Sequence, residues 1–291
     1  MDALVSTAWL ADELGANDLR IVDATYAEGR DAAAEHEAAH IPGAVYPNLG
    51  ELRDTDSDLP NMLPSAAKFA SRMQTLGLGD GSRIVLYDSS PWHTSARAWW
   101  MLRTFGAHNV SILDGGLAKW QAEGRETAGG RETLRHRHFT TWRDDKAVRT
   151  LEQMRANVDS GAEQVVDARS AARFTGAEAD PRPGTAAGHI PGSLNLPYAT
   201  LFAADGTWKT GPALKAAFDA AGVDLARPIV TTCGSGITAA VLAFGAHLLG
   251  NEAAIYDGSW SEWGGDPSTP KAIGAQADGA QAGGPQTGGA A

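Results

Sequence analysis

Short apolar runs alternate with amphipathic stretches along this 291-residue chain. Ile21-Val22, Arg83-Ile84-Val85-Leu86-Tyr87, Ile112-Leu113, Val165-Val166 and Ile229-Val230-Thr231-Thr232 are apolar or β-branched and too short for helices, so they read as strands. Residues 65–74 and 212–218 space their apolar positions as helices do, ahead of the strands at 83–87 and 228–232. Ile237-Thr238-Ala239-Ala240-Val241-Leu242-Ala243-Phe244 is a further helix former directly behind the last of these strands. Strands alternating with helices predict an α/β fold, with parallel sheets covered by helices on both faces. Ligands of such sheets bind beyond the carboxyl ends of the strands. Cys233 stands at one of those ends.

The pattern occurs twice. Ile21-Val22-Asp23-Ala24 matches Val165-Val166-Asp167-Ala168, and His40-Ile41-Pro42-Gly43 recurs as His189-Ile190-Pro191-Gly192. The strand from Arg83 to Asp88 aligns with Pro228 to Cys233, and Ile112-Leu113-Asp114-Gly115-Gly116 aligns with Ile255-Tyr256-Asp257-Gly258-Ser259. The four offsets are 144, 149, 145 and 143 residues, in the same order along the chain. Four colinear matches mark a duplicated domain with small insertions. The expected organisation is a first domain over 1–124, a polar Arg- and Thr-containing linker over 125–147, and a second domain over 148–267. The Ala-Gly-Gln-Pro-rich segment 268–291, which has no periodicity, is expected to be a disordered tail.

Composition narrows the partners. A formal net charge of −11 and a pI of about 5.1 argue against nucleic acid or an anionic membrane as partner, since both require a basic face, but leave room for a locally basic pocket for a small anion. Met1-Asp2-Ala3-Leu4-Val5-Ser6 lacks the cationic and apolar regions of a secretory leader, and no run is long enough to span a membrane. One cysteine cannot form an internal disulfide, which fits a cytoplasmic protein. No Cys/His cluster has metal-ligand spacing, so neither a metal nor an organic cofactor is expected.

The single cysteine sits in Thr231-Thr232-Cys233-Gly234-Ser235-Gly236-Ile237-Thr238, between strand and helix. Glycines there let backbone N–H groups converge on one point, and the following helix adds the positive end of its dipole. Both favour a thiolate, the nucleophilic form of cysteine, and would equally hold a persulfide on Cys233. Three other readings compete. A lone cysteine is often an inert core residue. A nucleotide-phosphate loop would need a third glycine or a Gly-Lys-Ser/Thr sequence, and neither is present. A cysteine phosphatase would carry an arginine six residues after the cysteine, where this chain has Ala239.

Taken together, the Cys-Gly-Ser-Gly-Ile-Thr loop, the paired His-Ile-Pro-Gly motifs and the stretches Leu113-Asp114-Gly115-Gly116-Leu117-Ala118-Lys119-Trp120 and Tyr256-Asp257-Gly258-Ser259-Trp260-Ser261-Glu262-Trp263 resemble the two-domain sulfurtransferases of the rhodanese superfamily. The likeness covers roughly residues 5–265; one departure is Ile237, where the family usually has Val. The resemblance implies two tandem rhodanese-like domains with the catalytic cysteine in the second, and Asp88 at the cysteine's place in a silent first copy. It implies transfer of sulfur from a small-molecule donor through a Cys233 persulfide to thioredoxin, a small thiol or cyanide. Gly234, Ser235, Gly236, Ile237 and Thr238 would cradle the reacting group, and their lack of basic residues favours 3-mercaptopyruvate, with release of pyruvate, over thiosulfate. Carried over from that branch, Arg173 and Arg182 would bind the donor's carboxylate and carbonyl, and Asp31, His40 and Ser235 would form a proton relay. The alternatives are thiosulfate as donor, or a non-catalytic persulfide carrier.

Overall fold

The computed structural model describes residues 1–132 and 135–275. The first half builds a sheet from β1 (Leu4–Val5), β2 (Leu19–Asp23), β3 (Ala44–Val45), β4 (Arg83–Tyr87) and β5 (Val110–Leu113), in the spatial order β1-β5-β4-β2-β3. The second half repeats it with β6 (Val148–Arg149), β7 (Gln164–Asp167), β8 (Leu194–Asn195), β9 (Ile229–Thr232) and β10 (Ala253–Tyr256), in the order β6-β10-β9-β7-β8. Every strand pair is parallel. The helices are α1 (Thr7–Glu13), α2 (Ala32–Ala38), α3 (Ala66–Thr75), α4 (Ser95–Thr104) and α5 (Gly116–Ala122) in the first half. Those of the second are α6 (Leu151–Ser160), α7 (Ala171–Thr175), α8 (Gly211–Ala220), α9 (Ala239–Leu248) and α10 (Ser259–Trp263). The duplication read from the sequence is therefore also a duplication of topology.

Local chemistry explains where the helices begin. Ser65 accepts the Lys68 N–H to open α3, and Thr150 and Gln153 form a reciprocal capping box that opens α6. The strands bury both faces, as a covered parallel sheet requires. Along β4, Ile84 and Leu86 join a core that faces the other domain, while Val85 and Tyr87 join a separate core on the outer face. This is the two-residue alternation of a strand.

The core between the halves is continuous. Helix α9 is buried along its whole run from Ala239 to Ala246, and packs against α4, with Phe244 edge-on to Trp99 at 5.0 Å and to Trp208 at 4.8 Å. A helix that is apolar all round has to be enclosed, and here the partner domain encloses it.

Two expectations about the connecting segments need correction. Within the expected linker, Ala128 exchanges backbone hydrogen bonds with His40, Thr140 binds the Asp80 carboxylate and Phe139 is buried, so much of 125–147 is part of the first domain's surface. Of the segment expected as a tail from Ser268, residues 268–275 are packed onto the second domain. Thr269 is buried, Pro270 accepts the indole N–H of Trp263 at 2.7 Å, Ala272 pairs with His189, and Gly274 donates to the Thr175 carbonyl. The buried Trp263 indole N–H needs an acceptor, and Pro270 supplies it; composition alone does not reveal this. Residues 276–291 lie outside the described part.

Candidate active site

Strand β9 ends at Cys233, and the chain turns through Gly234–Thr238 before α9 begins at Ala239. The loop is held by its carbonyls. The Cys233 carbonyl accepts the Trp260 N–H at 3.0 Å, and the Gly234 carbonyl accepts the Ser261 N–H at 2.9 Å and its hydroxyl at 2.6 Å. The Gly236 carbonyl accepts from Arg97 at 3.1 Å. In a trans peptide the N–H points opposite to the C=O. Pinning these carbonyls outward therefore turns the N–H groups of Gly234, Ser235 and Ile237 to the loop's inner side. The Gly236 N–H donates to the Cys233 sulfur at 3.1 Å. Gly236 has φ +81°, and a β-carbon there would stand 2.9 Å from the Asp257 carbonyl, so glycine is required both for the turn and for the close approach.

The loop is also clamped from the next strand. The Cys233 N–H donates to the Ser259 hydroxyl, which in turn donates to the Tyr256 carbonyl at 2.8 Å. Ser259 is fully buried in a left-handed conformation at φ +51°. Its counterpart in the first half, Gly116, also has positive φ, but a β-carbon on it would come within 2.6 Å of the Asp88 carbonyl.

Cys233 is 2% exposed and opens into a cleft of about 300 Å³. Gly234, Ser235, Ile237 and Thr238 line it from the loop, and Arg169, Arg173, Arg182 and Tyr198 from the rest of the second domain. Tyr26, Glu28, Asn61 and Trp92 line it from the first. The loop alone carries no charge, but its surroundings do. A β-carbon placed on Gly234 would lie 3.3 Å from an Arg182 nitrogen and 3.4 Å from an Arg173 nitrogen. Both guanidiniums share Asp180, at 2.5 Å from Arg173 and 3.4 Å from Arg182, with the carboxylate 1% exposed. Two cations thus share one anion beside Gly234, and among the described residues the one acidic side chain lining the cleft is Glu28, from the first domain. The Arg173 Nε is buried with no partner. Arg169 is different: its charge is matched by buried Asp167 at 2.6 Å.

The expected relay is not assembled. Asp31 is an exposed residue that caps α2 through the Ala34 N–H. His40 is fully buried, with Nδ1 on the His36 carbonyl at 2.7 Å and its ring stacked on His36. Neither makes a hydrogen bond to the other or to Ser235, whose hydroxyl instead accepts from Asn61 at 3.1 Å. The duplicate gives the physical reason. His189 does the same work in the second half, with Nδ1 on the Phe174 carbonyl at 2.8 Å and its ring stacked on Phe174. In both copies the backbone of this histidine pairs with a returning segment, at Ala128 and at Ala272. The histidine of His-Ile-Pro-Gly is thus a loop tie in each domain.

At the position that matches Cys233 in the first half, the Asp88 carboxylate accepts the N–H groups of Ser90 and Ser95, both at 2.8 Å. The loop N–H groups there are consumed by the protein's own side chain. Sequence reasoning missed Arg97, Asn61, Asp180 and Ser259. Asp114 and Asp257, each followed by glycine in the sequence, reach across the domain boundary, to the N–H of Trp208 and of Leu63 respectively.

A glycine-walled cysteine at a strand end, with an aspartate at the matching place in a second copy of the same sheet topology, defines a class. The chain belongs to the rhodanese family: the Rhodanese-like domain model matches residues 6–123 and again 150–266. Among its relatives, human 3-mercaptopyruvate sulfurtransferase is 40% identical over 90% of this chain and 91% of that protein. The Escherichia coli K12 3-mercaptopyruvate sulfurtransferase is 40% identical over 91% and 96%. The crystal structure of SseA from Escherichia coli, a 3-mercaptopyruvate sulfotransferase, superposes with a TM-score of 0.82 at 37% identity, over 89% of this chain and 99% of that one. A chicken thiosulfate sulfurtransferase is also 40% identical, over 90% and 93%.

Proposed function

We propose that this protein is a sulfurtransferase that takes the sulfur of 3-mercaptopyruvate onto Cys233 and passes it to a thiol. The Cys233 thiolate attacks the donor's sulfur. The new S–S bond forms as the C–S bond breaks, and the bonding pair leaves on carbon as the pyruvate enolate, which takes a proton to give pyruvate. The N–H of Gly236 already faces the Cys233 sulfur, and those of Gly234, Ser235 and Ile237 share its side of the loop, so the persulfide's negative charge has donors in place. An acceptor thiolate then attacks the outer sulfur and displaces the Cys233 thiolate, leaving an acceptor persulfide. Cyanide in place of the thiol gives thiocyanate. Arg173 and Arg182 hold the donor's carboxylate and carbonyl, and Ser235 with Asn61 forms the polar wall beside them. The reading includes thioredoxin or a small thiol as acceptor and a cytoplasmic setting; among the described residues no helix is long and apolar enough to cross a membrane.

The observation that carries the proposal is the Asp180-held arginine pair beside Gly234, next to the reactive sulfur. An α-keto acid offers planar oxygens to such forks. Thiosulfate is the competing donor, since the same cations could hold a dianion and a thiosulfate sulfurtransferase is among the relatives. Mass spectrometry of the Cys233 peptide after mercaptopyruvate alone should find one added sulfur. Steady-state pyruvate release with a thiol acceptor should then exceed one turnover per chain and exceed thiosulfate turnover. A preparation that turns over thiosulfate faster overturns the donor assignment, and one limited to a single sulfur per chain makes the protein a carrier.

A further inference from the structure

The half with no catalytic cysteine sends one buried charge into the other half's reactive loop. Arg97, on α4, is 2% exposed. It pairs with Asp257 at 2.7 Å, donates to the Gly236 carbonyl at 3.1 Å and to the Asn61 carbonyl, and lies over the Trp100 ring at 4.5 Å. Asn61 in turn donates to the Ser235 hydroxyl. Every polar contact of Arg97 thus ends on the Cys233 loop or on the two segments that brace it.

The duplication tests whether domain packing alone needs this charge. Helices α4 (Ser95–Thr104) and α9 (Ala239–Leu248) correspond at an offset of 144, which places Val241 opposite Arg97. Around Val241 the rest of the arrangement survives. Asp114 reaches over to the Trp208 N–H at 2.9 Å, as Asp257 reaches over to the Leu63 N–H at 2.8 Å. The domains therefore close over this aspartate on the Val241 side with no arginine. The charge occurs only where the loop beneath it holds the cysteine.

We infer that Arg97 is a positioning residue for sulfur transfer, supplied by the silent domain, which fixes the Gly236–Ile237 peptide so that its N–H faces the sulfur side of the loop. The inference rests on the sulfur-transfer reading for its chemistry. With the Gly236 carbonyl tied to Arg97, the Ile237 N–H points the opposite way by peptide planarity. Without that tie the peptide is free to rotate, and a donor to the negative sulfur is lost just as charge develops. A hydrogen bond to a charged group corresponds to about ten- to a hundredfold in rate.

The test is full-length Arg97→Met and Arg97→Lys, each checked by thermal melting. Lysine keeps a cation for Asp257, but its single ammonium cannot reproduce the fork to Asp257, Gly236 and Asn61 together. Two readouts are taken: the alkylation rate of Cys233 by iodoacetamide at neutral pH, and kcat and KM for mercaptopyruvate. Arg97→Met should slow alkylation and lower kcat by about tenfold or more, with KM within about twofold, because Arg97 is outside the donor cleft. Arg97→Lys should melt near the parent temperature and recover only part of the loss. A folded Arg97→Met protein with parental alkylation and kcat overturns the inference, as does a loss confined to KM. If Arg97→Met does not fold, parental alkylation and kcat in Arg97→Lys overturn it instead. Alkylation needs no sulfur donor, so it reports on the loop even if mercaptopyruvate proves to be the wrong substrate.

Discussion

Gly236→Ala is the sharpest small perturbation of the cysteine loop. The residue sits at φ +81°, where an L side chain costs about 1–2 kcal/mol. Its new methyl would stand 2.9 Å from the Asp257 carbonyl, 3.0 Å from the Asp257 carboxylate and 3.1 Å from an Arg97 nitrogen. Backbone and a buried ion pair cannot retreat as a flexible side chain does, and overpacking of this kind costs about 1–3 kcal/mol more. The expected destabilisation is therefore about 2–5 kcal/mol, read by urea unfolding of the full chain. The loop relieves part of this by swinging outward, which withdraws the Gly236 N–H from the Cys233 sulfur. Losing one charge-assisted hydrogen bond predicts a ten- to hundredfold slower persulfide formation, about 1.5–3 kcal/mol, read by single-turnover pyruvate release. Gly234→Ala is the control. Its φ is not positive, and the new methyl meets only the ends of Arg182 and Arg173, at 3.3 and 3.4 Å. It should leave stability nearly unchanged and act mainly on KM by moving the arginines. Equal effects of the two substitutions on stability and on persulfide formation would refute the account of the loop.

The other expectations are independent of this loop. Arg182→Ala should lower kcat/KM for mercaptopyruvate by about ten- to a hundredfold, partly through KM because the carboxylate is already present in the ground state, and should affect thiosulfate less; unchanged steady-state kinetics in both Arg182→Ala and Arg173→Ala would place the donor elsewhere. Ending the chain after Pro267 strips Trp263 of its Pro270 acceptor and His189 of Ala272, and each buried donor left without a partner costs about 1–3 kcal/mol. At about 2–4 °C per kcal/mol, calorimetry should find a melting temperature lower by several degrees, whereas a chain ending at Ala275 keeps those contacts and should not differ from the parent. Asp88→Cys in a Cys233→Ser background should give no multiple turnover of pyruvate, because Pro91 has no N–H and the silent loop is shaped around a carboxylate. Sustained turnover from that double variant would show that the first loop is still competent.

The duplicated topology and the reactive loop were legible because both are written in local chemistry. Strand runs, turn glycines and helix starts act over a few residues, and two copies at nearly constant offset reinforce each reading. What was not legible depends on which residues meet across the domain boundary. Arg97 lies in Ala96-Arg97-Ala98-Trp99-Trp100-Met101, where a charge set in an apolar run was the available signal, and aligning it with Val241 would have exposed it as unmatched. Asp257 and Asp114 stand in Asp-Gly sequences, which usually mark a turn, yet their carboxylates cross to the other domain. The Asp31–His40–Ser235 relay depends on the same kind of meeting: the resemblance supplied residue types, and in the structure the three share no hydrogen bond, His40 placing its Nδ1 on a backbone carbonyl as His189 does.

The first copy of the domain has not been left idle. Its loop keeps the strand-to-helix shape, but Asp88 takes up the N–H groups of Ser90 and Ser95, so it has no need of an outside ligand. The outer part of that same loop, at Trp92, forms a wall of the Cys233 cleft, and the Pro91 carbonyl receives the Tyr198 hydroxyl at 3.1 Å from the other side. Tyr26 and Asn61 line the same cleft from the same half, and Arg97 reaches the back of the loop through the Gly236 carbonyl. The pseudo-symmetry makes this economical, because a packing that is already self-complementary needs only a few unmatched residues to turn one twin into a scaffold for the other. The shared core around α4 and α9 keeps those residues in register with the sulfur, so domain closure is itself a structural condition for an organised Cys233 loop.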